Sequence, residues 1–310
     1  MSAAILTVGL HKRYGPLNAL RGLDLAIEPG TVFGLIGPNG AGKTTTLRML
    51  LDIIRPTSGS AHILGQPVSS GGPPLRRRIG YVPGEVRLDG RATGRDVLRF
   101  YREVSGTVSS ARAEALAERL DAELDRPIRK LSRGNRQKIG LIQAFQHSPE
   151  VLILDEPTSG LDPLMQREFL SLVREARDAG QTVLLSSHVL SEIEHVADEL
   201  AVLSHGTVVA HGDVSSLRLS SIRRLSATVS DASAPEVSQA LARIPRLAGL
   251  RVEATEGAVR VEATIEGEID AVLKTLARFT VAGMTLTEPD LEESVLALYG
   301  EQRNGGERRG

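Results

Sequence analysis

No cysteine and no tryptophan occur in the 310 residues, and aromatic side chains make up only 3%. Without cysteine there are no disulfides, no thiolate nucleophile and no thiolate metal site, and the chain fits a reducing compartment. Charge of one sign is also missing: 37 Lys and Arg stand against 38 Asp and Glu, a formal net charge of −1. No global field therefore draws the chain to nucleic acid or to an acidic membrane surface. No uninterrupted apolar run approaches the ~20 residues that a bilayer-crossing helix needs, so a membrane role has to be borrowed from another chain. The first residues meet His11, Lys12 and Arg13 early, and no secretory signal is expected. What remains is ordinary for a globular protein, 41% hydrophobic and 24% charged, with length enough for an α/β core and a smaller second domain.

The most informative stretch runs from Thr31 to Leu51. Val32, Phe33, Leu35 and Ile36 read as a buried strand, GPNGAGKT fills Gly37 to Thr44, and Thr45 to Leu51 reads as a helix. Strand, glycine-rich loop and helix together make a seat for polyphosphate. Gly37, Gly40 and Gly42 let backbone N–H groups turn inward beside the positive end of the helix. In this reading Lys43 reaches the outer phosphates and Thr44 offers its hydroxyl to Mg²⁺, with Pro38, Asn39, Ala41 and Thr45 completing the loop. A second apolar run, Val151 to Leu154, ends in Asp155 and Glu156. These carboxylates suit a division of labour in which Asp155 holds Mg²⁺ and Glu156 orients and polarises the attacking water. A third run, Val183 to Leu185, ends in Ser186, Ser187 and His188. Short apolar runs separated by amphipathic helices predict a largely parallel sheet with ligands at the carboxyl ends of its strands, where Asp155, Glu156 and His188 fall. LSRGN, Leu131 to Asn135, precedes an amphipathic helix through Ile139 and Ile142. Its serine and glycine can donate to phosphate oxygens, or Ser132 can simply cap the helix.

Ahead of the loop, Ile5 to Val8 and Leu23 to Ile27 read as two strands joined through a tip near Tyr14 and Gly15. After it, SSGGPP from Ser69 to Pro74 reads as an exposed loop, and Ile79 to Val82 as a strand ending at Pro83. Between Thr93 and Gln146 the pattern turns helical, through GRDVLRFYREV, SARAEALAERLDAEL and the helix after Ser132, an insertion over about residues 85–150. Residues 215–224 read as a linker. Beyond it come a strand at Leu225 to Val229, a helix marked by Val237, Leu241 and Ile244, and a hairpin around Glu256 and Gly257. A helix marked by Ile269, Val272, Leu273 and Leu276 and a strand at Met284 to Thr287 follow. Strand, helix, two strands, helix, strand is the order of a ferredoxin-like sandwich. Leu291 to Tyr299 reads as a closing helix and 301–310 as a disordered tail, giving expected domains of 1–214 and 225–300.

A phosphate loop alone fits a kinase, a GTPase, a recombinase or a transporter motor. GPNGAGKT, LSRGN, VLILDEP, SGLD from Ser159 to Asp162, and His188, in that order, resemble the ATP-binding cassette ATPases that drive ABC transporters, over Ile5 to Gly212. The remaining segment, with EPDLEESVLALYG from Glu288 to Gly300, resembles the appended domain of the daunorubicin-resistance type of ATP-binding subunit, found with multidrug and antibiotic exporters. The resemblance implies an α/β P-loop NTPase fold with a parallel-sheet core, an antiparallel β subdomain and a helical insertion. It further implies an ATPase that takes ATP and Mg²⁺ and closes as a homodimer around two nucleotides. Such a protein is peripheral, held at the cytoplasmic face of the plasma membrane by a separately encoded permease. By the same resemblance Tyr14 stacks on adenine. Ser132, Arg133, Gly134 and Asn135 form the signature offered to the γ-phosphate on Lys43 of the other copy, Asp162 belongs to the loop linking the two sites, and His188 contacts the γ-phosphate and supports Glu156. Two places depart from the family. Arg133 and Asn135 stand where Gly and Gln are usual, and Gly84 stands where a glutamine normally touches Mg²⁺ and senses the permease. That leaves Glu85 as a substitute metal ligand, or a changed coupling route. The alternatives are an importer subunit, or a cassette protein acting on ribosomes or DNA; one phosphate loop and no long heptad run count against the latter.

Overall fold

The computed structural model describes residues 3–106, 109–217, 222–255, 257–266 and 268–287. The chain divides into two compact units, Met1–Val214 and Ser215–Gly310.

The first unit opens with β1 (Ile5–Tyr14) and β2 (Leu17–Ile27), an antiparallel pair in which Ile5 faces Ile27 and Tyr14 faces Leu17. Both strands outrun the short stretches read from sequence. Register shifts beside Gly9 and Gly22 move side chains between faces without ending the ladder, so alternation breaks where the strand does not. β3 (Val32–Ile36), buried throughout, feeds the loop before α1 (Lys43–Leu50). β4 (Ser58–Ile63) and β5 (Gln66–Pro67) complete an antiparallel sheet of order β2-β1-β4-β5.

The SSGGPP stretch is helical, not an open loop. It lies in α2 (Val68–Arg76), which breaks at Gly72, with φ 56° and ψ −155°, and resumes at Pro73 and Pro74. Proline at the start of a turn sacrifices an N–H that has no helical partner there, so the residues that predict a loop are compatible with two short helical pieces. β6 (Ile79–Val82) leads into α3 (Gly94–Ser105), α4 (Ala111–Arg119) and α5 (Arg133–Phe145). A capping box between Thr93 and Asp96 starts α3. α4 ends well before Leu124, because Leu120 leaves helical geometry and Asp121 turns to φ 47°.

β7 (Val151–Asp155), α6 (Pro163–Asp178), β8 (Thr182–Ser187), α7 (Leu190–Glu194), β9 (Glu199–Ser204) and β10 (Thr207–Asp213) follow. The second sheet has the order β10-β9-β3-β8-β7-β6, parallel throughout except for the β9–β10 hairpin at its edge. Its strands are apolar on both faces. Phe33, Leu35, Val151, Ile153 and Leu184 share one core with Leu47 and Leu50 of α1 and with Ile5, Leu20 and Leu23. Gly34, of opposite parity, lies so near Ile193 of α7 that a Cβ would come within 2.6 Å of it. Arg119 ties the insertion to α6 through Glu168 and, at 2.6 Å, Glu175. The carboxyl ends of β3, β6, β7 and β8 therefore share one edge, and the chain leaving them carries Lys43, Gly84, Glu156 and His188.

The second unit begins near α8 (Val214–Leu217). It contains β11 (Ile222–Ser230), α9 (Ala234–Leu241), β12 (Leu247–Thr255), β13 (Ala258–Glu266), α10 (Asp270–Leu276) and β14 (Thr280–Thr287). All its pairings are antiparallel, in the order β12-β13-β11-β14, a ferredoxin-like arrangement. The segment read as a linker thus includes part of α8 and the start of β11, while 218–221 lie outside the described residues, as do the expected helix Leu291 to Tyr299 and tail 301–310. Leu225, Val229, Val261, Val237, Leu241 and Leu276 build a core of its own.

Val261 is fully buried in that core. Val261→Ala is expected to cost about 2 kcal/mol, seen by scanning calorimetry as a lowered transition for the second unit with the first unmoved. A single transition that shifts as a whole would contradict two separate cores.

Candidate functional site

The loop before α1 is tight at both ends: a Cβ on Gly37 would come within 2.4 Å of the Leu203 carbonyl oxygen, and at Gly42, where φ is 114°, one would come within 2.8 Å of the Ala19 carbonyl oxygen. α1 begins at the next residue with no side chain capping it, so its first N–H groups point at the loop's interior. Lys43 is 5% exposed. Its ammonium group is held by the Gly37 carbonyl at 2.6 Å and by Glu156 Oε1 at 3.3 Å, the compensation a buried charge requires. Glu156 Oε2 lies 2.6 Å from His188 Nδ1.

One residue earlier, Asp155 is 1% exposed. Its Oδ1 accepts from two hydroxyls, Ser186 at 2.6 Å and Thr44 at 3.2 Å. Ser186 also receives the Glu156 backbone N–H, on its carbonyl at 3.1 Å and on its hydroxyl at 3.2 Å. Glu156 has φ 46°, the left-handed region that a residue with a Cβ seldom adopts. This bend takes its carboxylate out of the strand direction, so that it meets both Lys43 and His188.

The residues singled out in the sequence fall into two sets. Residues 38–45, Tyr14 and Glu156 line one cavity of about 370 Å³. Tyr14 is 45% exposed, with Lys12 Nζ 4.9 Å from its ring centroid. Gly37, Asp155 and His188 join this set through their bonds to Lys43, Thr44 and Glu156. Ser132, Arg133, Gly134, Asn135 and Asp162 do not line the cavity. Ser132 caps α5, accepting from the Asn135 N–H at 3.1 Å. The Asn135 amide makes two bonds of 2.8 Å to the backbone of Glu123, and Arg133 donates to the Ser159 hydroxyl at 2.6 Å. Asp162 caps α6 through the N–H groups of Leu164 and Met165.

Glu85 is not brought to the Thr44 and Asp155 cluster. Its side chain is 71% exposed and its carboxylate pairs with Arg87 at 2.7 Å, a bond that holds it below the usual carboxylate range. The neighbour at the cluster is Gly84, where a Cβ would stand 3.4 Å from Asp155 Oδ2. Ser186 has no role in the sequence reading, and its only signal there is a hydroxyl closing an apolar run. Asn18, Arg21 and His205 also line the cavity, and no pattern marks them. A larger cavity of about 530 Å³ lies beside β6 and the insertion, lined among others by Tyr81, Val86, Leu88, Tyr101 and Val104. Burial, and then the charge of Asp155, push the Tyr81 phenol above its ordinary pKa.

Chemically, this edge can seat polyphosphate on the start of α1 and Lys43 and set a carboxylate base beside it. Thr44 and Asp155 offer the oxygen donors that suit a hard cation such as Mg²⁺, commonly held by one or two carboxylates plus substrate phosphates. Among the described residues no three His, Cys, Asp or Glu side chains form a metal cage by themselves. Ser186→Ala removes a bond to a buried carboxylate and is expected to lower stability by about 1.5–3 kcal/mol, measured by urea unfolding. An unchanged midpoint would mean that Asp155 does not depend on that hydroxyl.

The chain is similar to known proteins over most of its length. A family model described as ABC transporter matches residues 20–159. The chain is 35% identical over 309 residues to a daunorubicin resistance ATP-binding protein of Streptomyces coeruleorubidus, covering 97% of each. It is 38% identical over 222 residues to the daunorubicin/doxorubicin resistance ATP-binding protein of Streptomyces peucetius, 70% of this chain and 67% of that one. With the Nod factor export ATP-binding protein I of Cupriavidus metallidurans it shares 37% identity over 217 residues, 68% of this chain and 72% of that one. A solved ATP-binding subunit of an ABC transporter matches with a TM-score of 0.65 at 30% identity, over 69% of this chain and 92% of the other. A dimeric ATP-binding cassette with ADP and Pi shares the fold, with a TM-score of 0.62 at 22% identity over 67% of this chain and 98% of the other. The chain is thus an ATPase, and it belongs to the ATP-binding subunits of the ABC transporter family.

Proposed function

We propose that this ATPase is the nucleotide-binding subunit of an exporter of drugs or antibiotics, and that it drives a separately encoded permease by closing as a homodimer around two ATP molecules. The export reading is supported by the relatives, which are named for drug resistance and Nod factor export. The catalytic reading rests on one arrangement, Lys43, Glu156 and His188 linked in a row directly beside the Thr44, Asp155 and Ser186 cluster.

The phosphates sit at the start of α1, where Lys43 exchanges the Gly37 carbonyl and Glu156 for phosphate oxygens. That exchange frees Glu156 Oε1 to accept a hydrogen bond from the attacking water, while His188 on Oε2 fixes the rotation of the carboxylate. Thr44 and Asp155 would hold Mg²⁺, which neutralises charge on the β- and γ-phosphates when bound. Ser186 keeps Asp155 in place, and Tyr14 offers its ring to adenine. Each seat is incomplete in one chain, because Ser132, Gly134, Asn135 and Asp162 stand apart from the cavity. A second copy brings the start of its α5 to the γ-phosphate, where the helix dipole favours negative charge.

No helix among the described residues is long and apolar enough to cross a membrane. In this reading the permease holds the subunit at the cytoplasmic face. The 530 Å³ groove, with Tyr101, Leu88 and the half-exposed Val104 on its walls, suits an amphipathic helix end of such a partner.

Glu156→Gln is expected to bind ATP normally, accumulate as an ATP-dependent dimer on size exclusion, and lose turnover by about 10²-fold or more. Full phosphate release by that variant would remove Glu156 as the base. Since the chain has no cysteine, Val104→Cys supplies a single thiol in the groove. Bifunctional cross-linking in membranes of the source cell is expected to join it to an integral membrane protein, and to spare Ile53→Cys, which is 57% exposed outside the groove. Equal cross-linking from both positions would exclude the groove as the docking face.

A further inference from the structure

We propose that Arg133 is a positioning residue for hydrolysis. It clamps the turn that follows Glu156 onto the start of α5, so that the element offered to the other copy's nucleotide and the base of its own copy move together. The inference rests on the reading of Glu156 as that base.

α5 grips residues 157–160 at three points. Gln137, 4% exposed, donates Nε2 to the Pro157 carbonyl at 2.8 Å. Gly134 lies so close that a Cβ would stand 2.7 Å from the Gly160 carbonyl oxygen, which no side chain larger than hydrogen allows. Arg133 donates Nη2 to Ser159 Oγ at 2.6 Å, and its stem lies along Gly160, where a Cβ would stand 3.4 Å from Cγ, Cδ and Nε of Arg133. Ser159 passes the grip on, since its backbone N–H donates to the Glu156 carbonyl at 3.1 Å.

Glu156 needs such holding. Its φ of 46° is a conformation that a non-glycine residue keeps only when its surroundings impose it. On the strand side Ser186 takes its N–H; on the turn side Ser159 donates to its carbonyl, and Arg133 holds Ser159. The blander reading makes Arg133 a solvated side chain at a helix start. A cation in the first helical position is opposed by the helix dipole, so helix stability gives no reason for arginine there. The bond to Ser159 gives one. It also directs the guanidinium along its own chain, which makes Arg133 a residue acting through Ser159 and Glu156 rather than on phosphate.

The test uses full-length Arg133→Ala, Arg133→Lys, Ser159→Ala, Ser159→Thr and the double alanine variant. Steady-state ATPase kinetics, binding of a fluorescent ATP analogue and thermal unfolding are measured, with Glu156→Gln alongside. Arg133→Ala and Ser159→Ala are each expected to lower kcat about 10- to 100-fold, the penalty of a slightly misplaced catalytic group, with KM and analogue affinity changed by less than about twofold. The double variant should be no slower than the slower single one, and Ser159→Thr, which keeps the hydroxyl, should retain most of the rate. Arg133→Lys, with one ammonium in place of a fork, should fall between wild type and alanine. Losses that multiply in the double variant overturn the clamp, as does an unchanged kcat in Arg133→Ala. A raised KM or lost analogue binding in Arg133→Ala but not in Ser159→Ala also overturns it, in favour of direct contact with phosphate across the dimer. Should Arg133→Ala melt early, the Ser159→Ala and Ser159→Thr pair decides alone. Full turnover by Glu156→Gln marks a different failure, that of the base assignment.

Discussion

The carboxylate of Asp155 sets the geometry of the whole nucleotide edge. It is a charge with 1% exposure at the end of a central strand, and burial of that kind is tolerated only when hydrogen bonds replace the lost water. Thr44 brings α1 to it and Ser186 brings β8, while Gly84 at the end of β6 leaves the remaining oxygen uncrowded. The other candidate residues of the site then follow from register. Lys43 is the residue before Thr44, Glu156 is the residue after Asp155, and His188 lies two beyond Ser186. Their meeting is therefore a consequence of the buried cluster, and the left-handed turn at Glu156 is where the backbone strain of that meeting is stored.

This dependence explains what could be read in the sequence and what could not. Strands buried on both faces show as unbroken apolar runs, so Val32 to Ile36, Val151 to Leu154 and Val183 to Leu185 were legible, and the loops at their carboxyl ends with them. The ferredoxin-like order of the second unit was legible because its hairpin alternates cleanly about a glycine. β1 and β2 were seen only in part, since the bulges at Gly9 and Gly22 reverse the alternation mid-strand. α2 was hidden because glycine and proline sit at the junction of two helical pieces, not in the interior of one.

In the site, the legible residues are those in a loop of fixed shape, and the carboxylates and histidine that close an apolar run. Ser186 with Asp155 and Arg133 with Ser159 are contacts between distant segments, made by sheet pairing and helix docking, and no spacing encodes them. Glu85 misleads for the opposite reason. A carboxylate beside the residue that should touch metal suggests a substitute, yet Arg87, two positions along in non-helical chain, is a nearer and stronger partner.

α5 connects the turn that follows Glu156 with the groove beside β6. The helix has 13 residues and so spans about 20 Å. Its start carries Ser132, Arg133 and Gly134, Gln137 holds the Pro157 carbonyl, and Gly140 and Gln143 line the 530 Å³ groove. Ile139, Leu141, Ile142, Ala144 and Phe145 are buried along it, which leaves little freedom to bend. Val86 packs against it as well, close enough that a Cβ on Gly140 would come within 2.8 Å of Val86 Cγ2. Residue 84 has no side chain with which to bond Asp155, so in the proposed function a partner seated in the groove would have no lever there. In the proposed function, pressure on Gly140, Gln143 or Val86 would instead reach a helix whose other end is bonded to the turn that carries Glu156. In that reading the coupling that a glutamine would supply through one side chain would pass through the translation of a whole element, the kind of displacement that packed helices transmit without deforming.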